Sequence, residues 1–434
     1  MSIVTKRQES VDEANSRLLL PVPKFALTDR DEIIDRLMRE PELLDYIGTS
    51  AVQEADTKEN LLTKARRYAE EIGPRFSLFF YFRLGYFLAR TLIRLHFRVR
   101  VFSVHDDALH AIPLGATVIL VSNHRSNFDP LVITYLASKR STIALSAGEW
   151  ARLWPLHHFV RAAGGFVVDR TANDPLYRQV LAAYVRLSAA EGLHQAFFPE
   201  GELTRDGKMS APKLGFLNYY CRACSKDRDI VFVPVGINYD RIPEDRRLVR
   251  SNGGFENPRA SFLIGSSLRY IASVLALPFR RRDRRYGHAC VAFGAPVSLH
   301  EWLDDHEIDL GELKNPERYA WLPVFARDLM RRCARQIPAP PVVLVASILC
   351  DGPKNKSWSL VALKNAVTSL AEQLAANGQQ PAIVDDIEDP TKFALEMLIH
   401  NNLVARDRQG RYAPIEAERP VLRYYANSIA HLLL

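Results

Sequence analysis

Residues 117–130, which read TVILVSNHRSNFDP, decide the fold of this chain. The run from Thr117 to Ser122 carries no charge and is mostly branched apolar residues, which is typical of a buried strand. Asp129 and Pro130 then mark a helix start, because Asp caps helix N-termini and Pro suits the first helical position. A buried strand that runs through a short loop into a helix predicts an α/β fold.

The same pattern continues from about residue 100 to residue 340. Short apolar runs predict further strands, and amphipathic or apolar stretches of greater length predict the helices between them. The strands are Gln195-AFFP and Ile230-VFVPVGI, and the main helices are Pro130-LVITYLASK and Leu176-YRQVLAAYVRLSAAE.

Four regions follow from these patterns and from a proline-rich linker at Pro338-APP. The C-terminal region has a helix–hairpin pattern around residues 391–415, with a turn at Gln409-Gly410, and this pattern resembles a winged helix. The regions are a helical N-terminal region at 1–75, an amphipathic segment at 76–104, a candidate catalytic domain at 105–340 and a small, mostly helical C-terminal domain at 341–434.

The composition is that of a globular protein. The 434 residues are 47% hydrophobic and 25% charged, which excludes a wholly disordered or collagen-like chain. Five scattered cysteines favour reduced thiols over a disulfide framework: Cys221, Cys224, Cys290, Cys333 and Cys350. Because no second pair accompanies Cys221 and Cys224, we predict no metal site.

The charge balance favours anionic partners. Lys and Arg number 57 against 50 Asp and Glu, a net charge of +7 and a pI near 9.1. Nucleic acid, lipid headgroups and phosphorylated small molecules all fit this excess, and the balance alone does not choose among them.

Residues 76–97, FSLFFYFRLGYFLARTLIRLHF, contain 8 of the 42 aromatic residues of the chain. Arg83, Arg90 and Arg94 fall within about 40° of one another on a helix, so the segment has a broad apolar surface with a basic stripe. It is either a buried core helix whose arginines reach water or a helix that lies in the headgroup layer of a membrane. Residues 270–279, followed by five arginines at 280–285, favour the membrane.

We expect no targeting or spanning segment. The stretch MSIVTKRQESVDEANSR has no apolar core, which argues against a signal peptide. The sequence has no run of 18 or more uncharged apolar residues, so we predict no transmembrane helix. The expected location is the cytoplasmic side.

His124 and Asp129 are the candidate catalytic pair. Five residues apart, they would be about 140° apart on one continuous helix, which is the wrong geometry for contact. If His124 lies on the loop between strand and helix, its ring can fold back to the Asp129 carboxylate and keep one nitrogen free as a base. The alternative for this pair is that His124 is an ordinary loop histidine and that Asp129 only caps the helix that follows.

Three further motifs accompany this pair in a fixed order. They are Gly164-GFVVDR, Phe198-PEG with Thr204-RDGK and Pro212-Lys213, and Val233-PVGINYDR. Guanidinium and ammonium groups beside Gly-rich turns suit a phosphate, although each motif alone is an ordinary turn.

Together, NHRSNFD, GGFVVDR, FPEGELTRDGK and VPVGINYDR resemble the glycerolipid acyltransferase superfamily, whose first motif is HX4D. The run His124-Arg-Ser126 and the final stretch Leu422-RYYANSIAH resemble the bacterial glycerol-3-phosphate acyltransferase branch. The resemblance implies a mixed-sheet α/β core with helices on both faces. It also implies His124 and Asp129 as catalytic residues, and a substrate-binding set of Arg125, Ser126, Arg170, Glu200, Gly201, Arg205, Lys208, Lys213 and Arg241.

The implied reaction moves an acyl group from acyl-CoA or acyl carrier protein to the sn-1 hydroxyl of glycerol 3-phosphate, with no cofactor beyond that thioester. The implied setting is an anionic membrane surface, on the cytoplasmic face of the inner membrane, with no nucleic-acid partner. Leu203 departs from the family, which usually has Arg there, so lysophosphatidate, another lysophospholipid or dihydroxyacetone phosphate stays open as acceptor. A nucleic-acid-binding protein and a catalytically inactive membrane scaffold are the rivals from other classes.

Overall fold

In the computed structural model of this chain, a mixed eight-stranded sheet lies between two layers of helices. The structure describes residues 22–53, 57–74, 77, 80–103, 106–137, 143–147, 161, 164–168, 174–250, 286–314, 320–352, 356–377 and 387–433. The predicted mixed-sheet α/β fold is confirmed.

The strands of this sheet occupy the middle of the chain. They are β1 Arg98–Ser103, β2 Thr117–Ser122, β3 Ala144–Ala147, β4 Phe166–Val167, β5 Gln195–Phe197, β6 Ile230–Tyr239, β7 His288–Phe293 and β8 Val297–Ser298. Their spatial order is β1-β7-β6-β2-β5-β3-β4, and β8 also pairs with β6.

The register of the central strands brings the motif loops to one edge of the sheet. β2 runs parallel to both β5 and β6, with Val121 opposite Phe197 and Ser122 opposite Val235. The carboxyl ends of parallel strands meet at the same edge, where open α/β sheets usually bind their ligands. The loops after β2 and β5 and the end of β6 therefore lie together.

Side chains of β2 alternate between two hydrophobic cores, as the pleat of a strand requires. Val118 and Leu120 point into a core shared with the C-terminal helices, whereas Ile119 and Val121 point into a core shared with the N-terminal helices. Both faces of the strand are buried, which explains its unbroken apolar sequence. Helices on both faces of the sheet are confirmed.

Helices before and within the sheet region cover its two faces. They are α1 Arg30–Leu37, α2 Pro41–Gln53, α3 Lys58–Ile72, α4 Tyr86–His96, α5 Asp106–His110, α6 Asp129–Ala137, α7 Pro175–Ala190, α8 Leu214–Cys221, α9 Asp245–Arg250, α10 Leu299–Asp305 and α11 Leu322–Gln336. Short 3₁₀ turns lie at Lys24–Leu27 and Leu310–Lys314.

Where the structure describes it, the C-terminal part forms four helices and a hairpin. These are α12 Pro341–Asp351, α13 Leu360–Ala376, α14 Pro390–His400, β9 Val404–Arg406, β10 Tyr412–Pro414 and α15 Arg419–Asn427, with 3₁₀ turns at Glu416–Glu418 and Ala430–Leu432. The predicted hairpin turn is present, and Gly410 takes a φ of 78° in it. Apolar residues of α12 and α15 belong to the same core as β6 and β7.

The aromatic segment forms one continuous helical stretch where the structure describes it. A π-helical turn at Phe80–Gly85 leads into α4. Ile93 is fully buried, whereas Leu84, Phe87 and Leu88 on the opposite face are 40%, 60% and 37% exposed. Arg83, Arg90 and Arg94 are exposed as well, along one side of these apolar residues.

The exposed apolar face of α4 does not indicate a membrane span. Within the described residues, no helix has both the length and the hydrophobicity needed to cross a bilayer. The predicted second membrane segment, residues 270–285, lies outside the described residues. The boundaries of the four predicted regions stay predictions.

Candidate active site

The loop after β2 folds His124 back onto Asp129, as predicted. Nδ1 of His124 lies 2.9 Å from Oδ2 of Asp129, and the carboxylate is fully buried. Because a carboxylate oxygen accepts, Nδ1 carries the hydrogen and Nε2 is left with a lone pair. The ring stacks on Phe198 with 4.1 Å between centroids and is itself only slightly exposed. The pair therefore has the geometry of a histidine base oriented by a carboxylate.

The prediction that Asp129 caps α6 is wrong by one residue. The helix includes Asp129, and its first turn closes with Val132 N–H donating to the Phe128 carbonyl at 2.9 Å. The Asp129 side chain points back along the chain instead of capping the helix. It accepts the backbone N–H of Arg125 at 2.6 Å and that of Ser126 at 2.9 Å.

Four consecutive backbone N–H groups of this loop each donate to a carboxylate. Glu200 accepts from His124 at 2.9 Å, Asp129 accepts from the next two residues, and Glu244 accepts from Asn127 at 2.9 Å. Glu244 also accepts from the Ser126 hydroxyl at 3.1 Å. Carboxylates of three separate elements thus hold the backbone that presents His124.

Sequence reasoning missed Glu244 and Tyr239. The Tyr239 hydroxyl donates to Oδ1 of Asp129 at 2.6 Å. Burial raises the pKa of Tyr239 well above its usual range, so the phenol stays protonated and donates. Burial also raises the pKa of Glu200 and of Glu244, against the opposing effect of the N–H groups that each accepts. A charged residue shortly after the fourth motif was the available signal for Glu244.

Asn123 lets the chain leave the sheet at this point without losing hydrogen bonds. Its side-chain amide donates to the Ile237 carbonyl at 2.9 Å, and its amide oxygen accepts the Ile237 N–H at 2.8 Å. The side chain thus continues the ladder between β2 and β6 beyond Ser122. The backbone of His124 is free to turn toward the carboxylates.

The predicted basic loop lies beside His124. Thr204 N–H donates to the His124 carbonyl at 3.1 Å, and the Thr204 hydroxyl donates to the Lys208 carbonyl at 2.6 Å. Lys208 is exposed and Arg205 is partly exposed. The structure therefore brings the loop that carries these two cations to the candidate site.

Gly201 and Lys213 meet across the same loop. Gly201 takes a φ of 72°, and a Cβ built there would lie 2.8 Å from Cδ of Lys213, so both the conformation and the space favour glycine. The Lys213 ammonium pairs with Glu202 at 3.0 Å, and Arg205 approaches the same carboxylate at 3.8 Å. The Glu202 carboxylate thus holds the Arg205 and Lys213 side chains near each other.

Arg125 and Arg241 are both buried, but in different settings. Arg241 donates to Asp245 through Nε and Nη2, at 3.1 and 2.7 Å, and also to Asn401. This ion pair joins the end of β6 to the start of α9, and the hydrogen bond to Asn401 extends it to the C-terminal part, so the Arg241 guanidinium is engaged within the protein. Arg125 donates through Nη1 to the Gly207 carbonyl at 2.9 Å. The predicted substrate contact of Arg170 falls outside the described residues.

One group of metal-ligand side chains lies at the other end of β6. Among the described residues, ligand atoms of Cys224, Asp229 and His300 lie within 4.8 Å of one another. Asp229 is already engaged, since it accepts the Ser298 hydroxyl at 2.6 Å and the His300 N–H at 3.1 Å. The group adjoins the start of β6, whereas His124 adjoins its end.

Two family models match the chain. Residues 103–238 match the acyltransferase family, and residues 272–434 match the glycerol-3-phosphate acyltransferase C-terminal region. The first match covers His124 and Asp129, and the second covers the stretch that begins at Leu422. The resemblance inferred from the motifs is confirmed.

The relatives agree with these matches. A glycerol-3-phosphate acyltransferase of Aeromonas hydrophila subsp. hydrophila is 26% identical over 430 residues, 96% of this chain and 52% of the relative. Another, of Pseudomonas paraeruginosa, is 26% identical over 425 residues, 94% of this chain and 49% of the relative. The chain spans about half the length of the curated relatives it matches.

Among solved structures, the 1-acyl-sn-glycerophosphate acyltransferase of Thermotoga maritima is similar over 70% of this chain and 95% of that chain. The two are 15% identical, with a TM-score of 0.33. That likeness is too weak to transfer any residue of the site.

Proposed function

We propose that this chain, in which an acyltransferase domain precedes the C-terminal region of glycerol-3-phosphate acyltransferases, is a membrane-surface O-acyltransferase. It would move a fatty acyl group from an acyl thioester to the sn-1 hydroxyl of glycerol 3-phosphate and form lysophosphatidate. The observation that carries the proposal is the buried His124–Asp129 pair at the edge where the motif loops meet.

His124 would act as the general base. As the acceptor hydroxyl attacks the thioester carbonyl carbon, Nε2 takes the hydroxyl proton and the new C–O bond forms. The C–S bond then breaks, and the thiolate leaves with the proton that the imidazolium returns. Proton transfer of this kind accelerates a reaction by roughly 10²–10⁴-fold. Asp129 stabilises the imidazolium through Nδ1–H and holds the ring in place.

Direct attack without an acyl-enzyme intermediate agrees with the state of the cysteines. All five are buried, and burial raises the pKa of each thiol, to about 12 for Cys333 and about 11 for Cys350. A thiol that stays protonated and buried is a poor nucleophile.

The start of α6 offers a donor for the developing oxyanion. Among residues 129–131, Asp129 already donates its N–H to the Ser126 carbonyl at 3.0 Å, and Pro130 has no N–H. Leu131 is the remaining donor of that set. The acceptor phosphate would lie among Arg170, Arg205, Lys208 and Lys213.

The position of α4 beside the site supports the proposed membrane setting. Tyr86 of α4 stacks on Tyr135 of α6 with 5.8 Å between centroids, and α6 begins at Asp129. The exposed face with Leu84, Phe87 and Leu88 is thus carried by a helix that packs on the catalytic helix. An apolar face with adjacent arginines suits the headgroup layer of an anionic membrane on the cytoplasmic face of the inner membrane.

A transfer assay tests the proposal. Purified protein would be incubated with labelled acyl-CoA or acyl carrier protein thioester and with glycerol 3-phosphate, dihydroxyacetone phosphate or lysophosphatidate. We expect transfer to glycerol 3-phosphate that His124→Ala abolishes. Transfer to lysophosphatidate alone would show that the acceptor is lysophosphatidate, one of the alternatives that Leu203 leaves open. No transfer to any acceptor would refute the proposal.

A further inference from the structure

Helix α15 forms hydrogen bonds to the loop that contains His124 and to the basic loop that carries Arg205 and Lys208. The Tyr424 hydroxyl donates to the Arg125 carbonyl at 3.2 Å, and the Asn427 amide donates to the Asp206 carbonyl at 2.8 Å. Gly207 takes a φ of 87°, and a Cβ built there would lie only 1.9 Å from the Tyr424 carbonyl oxygen. Backbone therefore packs on backbone at Gly207, and the helix fixes the basic loop relative to the His124 loop.

The same helix supports the Arg125 guanidinium. Its carbon lies 4.8 Å from the centroid of the Tyr424 ring, close enough for a cation–π interaction. Nη1 donates to the Gly207 carbonyl, whereas buried Nε makes no hydrogen bond to the described residues. Nε and Nη2 form the edge of a guanidinium that binds an oxyanion in bidentate fashion. The Gly207 carbonyl accepts from Nη1 only, so it does not occupy the Nε–Nη2 edge.

No carboxylate of the described residues forms an ion pair with Arg125, although three lie in the same loop network. Glu200 accepts the N–H groups of His124 and Ser210, and Glu244 accepts from Ser126 and its neighbour. Asp129 accepts from the histidine ring, two backbone N–H groups and Tyr239. A guanidinium that is 2% exposed and lacks a counter-ion is costly, and a bound anion offsets that cost.

We propose that Arg125 binds the phosphate of the acceptor through its Nε–Nη2 edge and that Tyr424 positions it. The inference rests on the proposed function, and it assigns the C-terminal region to acceptor binding and not to the acyl donor. Tyr424 is a positioning residue: its ring and hydroxyl hold Arg125, and it does not itself contact substrate. Burial raises the pKa of the Tyr424 phenol above its usual range, so the hydroxyl stays protonated and donates.

Equilibrium binding tests the inference without requiring turnover. The dissociation constants of inorganic phosphate and of glycerol 3-phosphate would be measured by calorimetry on the full chain and on three variants, Arg125→Lys, Tyr424→Leu and Tyr424→Phe. Tyr425→Phe is the matched control, because the neighbouring hydroxyl donates to Asp245 at 2.7 Å and not to Arg125. Circular dichroism and thermal unfolding would show which variants fold.

We expect Arg125→Lys and Tyr424→Leu to weaken binding of both ligands by roughly tenfold or more, as loss of a charge-assisted hydrogen bond does. Tyr424→Phe, which keeps the ring, should weaken binding about threefold to tenfold, and Tyr425→Phe should leave it unchanged. In the transfer assay, the Tyr424 variants should raise the acceptor KM while the donor KM stays constant. A simple loss of folded protein would lower kcat and leave both KM values unchanged.

Several results would overturn the inference. One is that Tyr424→Phe folds and binds both ligands as tightly as wild type, while Tyr424→Leu either does the same or does not fold. The others are an equal effect of Tyr425→Phe and a wild-type chain that binds neither ligand. Failure of the proposed function gives a different pattern, in which wild type binds glycerol 3-phosphate through Arg125 but transfers no acyl group to it.

Discussion

Tyr239 donates its hydroxyl hydrogen to Oδ1 of Asp129 across 2.6 Å, from the end of β6 to the start of α6. The other oxygen of the same carboxylate faces His124 at 2.9 Å. The phenol therefore holds the carboxylate from the side opposite the imidazole. It also draws negative charge away from the oxygen that faces the histidine.

Tyr239→Phe should lower kcat/KM by about tenfold, the effect of one lost hydrogen bond to a charged group. Without the phenol, the Asp129 carboxylate loses a hydrogen bond that holds it in the orientation facing His124. Steady-state kinetics of wild type and variant would measure the loss. Tyr220→Phe, which removes a buried hydroxyl bonded to Gln195, should leave kcat/KM unchanged.

His124→Ala should abolish acyl transfer and leave binding of the acyl thioester nearly intact, since the ring acts on the acceptor proton. Retention of more than about a tenth of the rate would exclude a general base worth 10² or more.

Asp129→Asn should also be severely impaired. Both oxygens of Asp129 accept hydrogen bonds, so the amide nitrogen of the variant must face a donor, and the variant should unfold at a lower temperature.

The fold and the contact between His124 and Asp129 could be predicted because their signals are local. An apolar run followed by a loop and Asp129-Pro130 indicates strand, loop and helix within about 20 residues. The partners of the pair could not be predicted in this way. Tyr239 is 110 residues from Asp129, and Tyr424 is 299 residues from Arg125. Those contacts arise from sheet register and from docking of α15, neither of which leaves a local pattern.

The basic residues show the same limit. Arg241 carried the same sequence signal as Arg205, a cation in a turn after a strand. The structure separates them, since Arg241 is committed to Asp245 whereas Arg205 lies on a loop hydrogen-bonded to His124 through Thr204. Asp245 is only four residues from Arg241 in the sequence, whereas Asn401, which accepts from the same guanidinium, is 160 residues away in the C-terminal part.

Arg205→Ala and Lys208→Ala should each raise the acceptor KM and leave the thioester KM nearly unchanged. Loss of a charge-assisted hydrogen bond corresponds to roughly 10- to 150-fold in affinity. Arg205→Lys should recover only part of the loss, because an ammonium cannot make a planar bidentate contact. An unchanged acceptor KM in both Ala variants would place the phosphate elsewhere.

Leu203→Arg complements these variants. The Leu203 side chain packs against the core on the C-terminal side of the sheet, so a guanidinium there loses apolar contact and should lower the unfolding temperature. Tighter acceptor binding by the variant, without loss of stability, would show that the site merely tolerates leucine where the family usually has Arg.

Membrane attachment should depend on the exposed face of α4. Phe87→Ser combined with Leu84→Ser should reduce sedimentation with anionic liposomes, because both side chains are exposed beside arginines. Replacing the five arginines of 280–285 with Ser should weaken binding and make it less sensitive to salt. Val361→Ser, on an exposed valine of α13, is the control. Equal binding of wild type to neutral and anionic vesicles would refute the electrostatic contribution.

His194 should make the fold sensitive to acid. The ring is buried before β5, and its Nδ1 accepts the backbone N–H of Val118 at 3.0 Å, which requires the neutral form. Burial, with the charge of Arg228 as a second cause, lowers the pKa of His194 to about 4, against about 6.5 in the unfolded chain. Between those values the unfolded state binds a proton that the folded state does not, so the free energy of unfolding falls as the pH falls, by about 3 kcal/mol in total.

Urea unfolding at pH 7, 6 and 5 would measure this loss. His194→Asn keeps an acceptor near the position of Nδ1 but cannot be protonated, so its free energy of unfolding should depend less on pH than that of wild type. His400→Asn, at an exposed position at the end of α14, should keep the wild-type dependence. If wild type and His194→Asn lose stability in parallel between pH 7 and pH 5, the acid sensitivity arises from other groups, and the neutral hydrogen bond from Val118 is not its source.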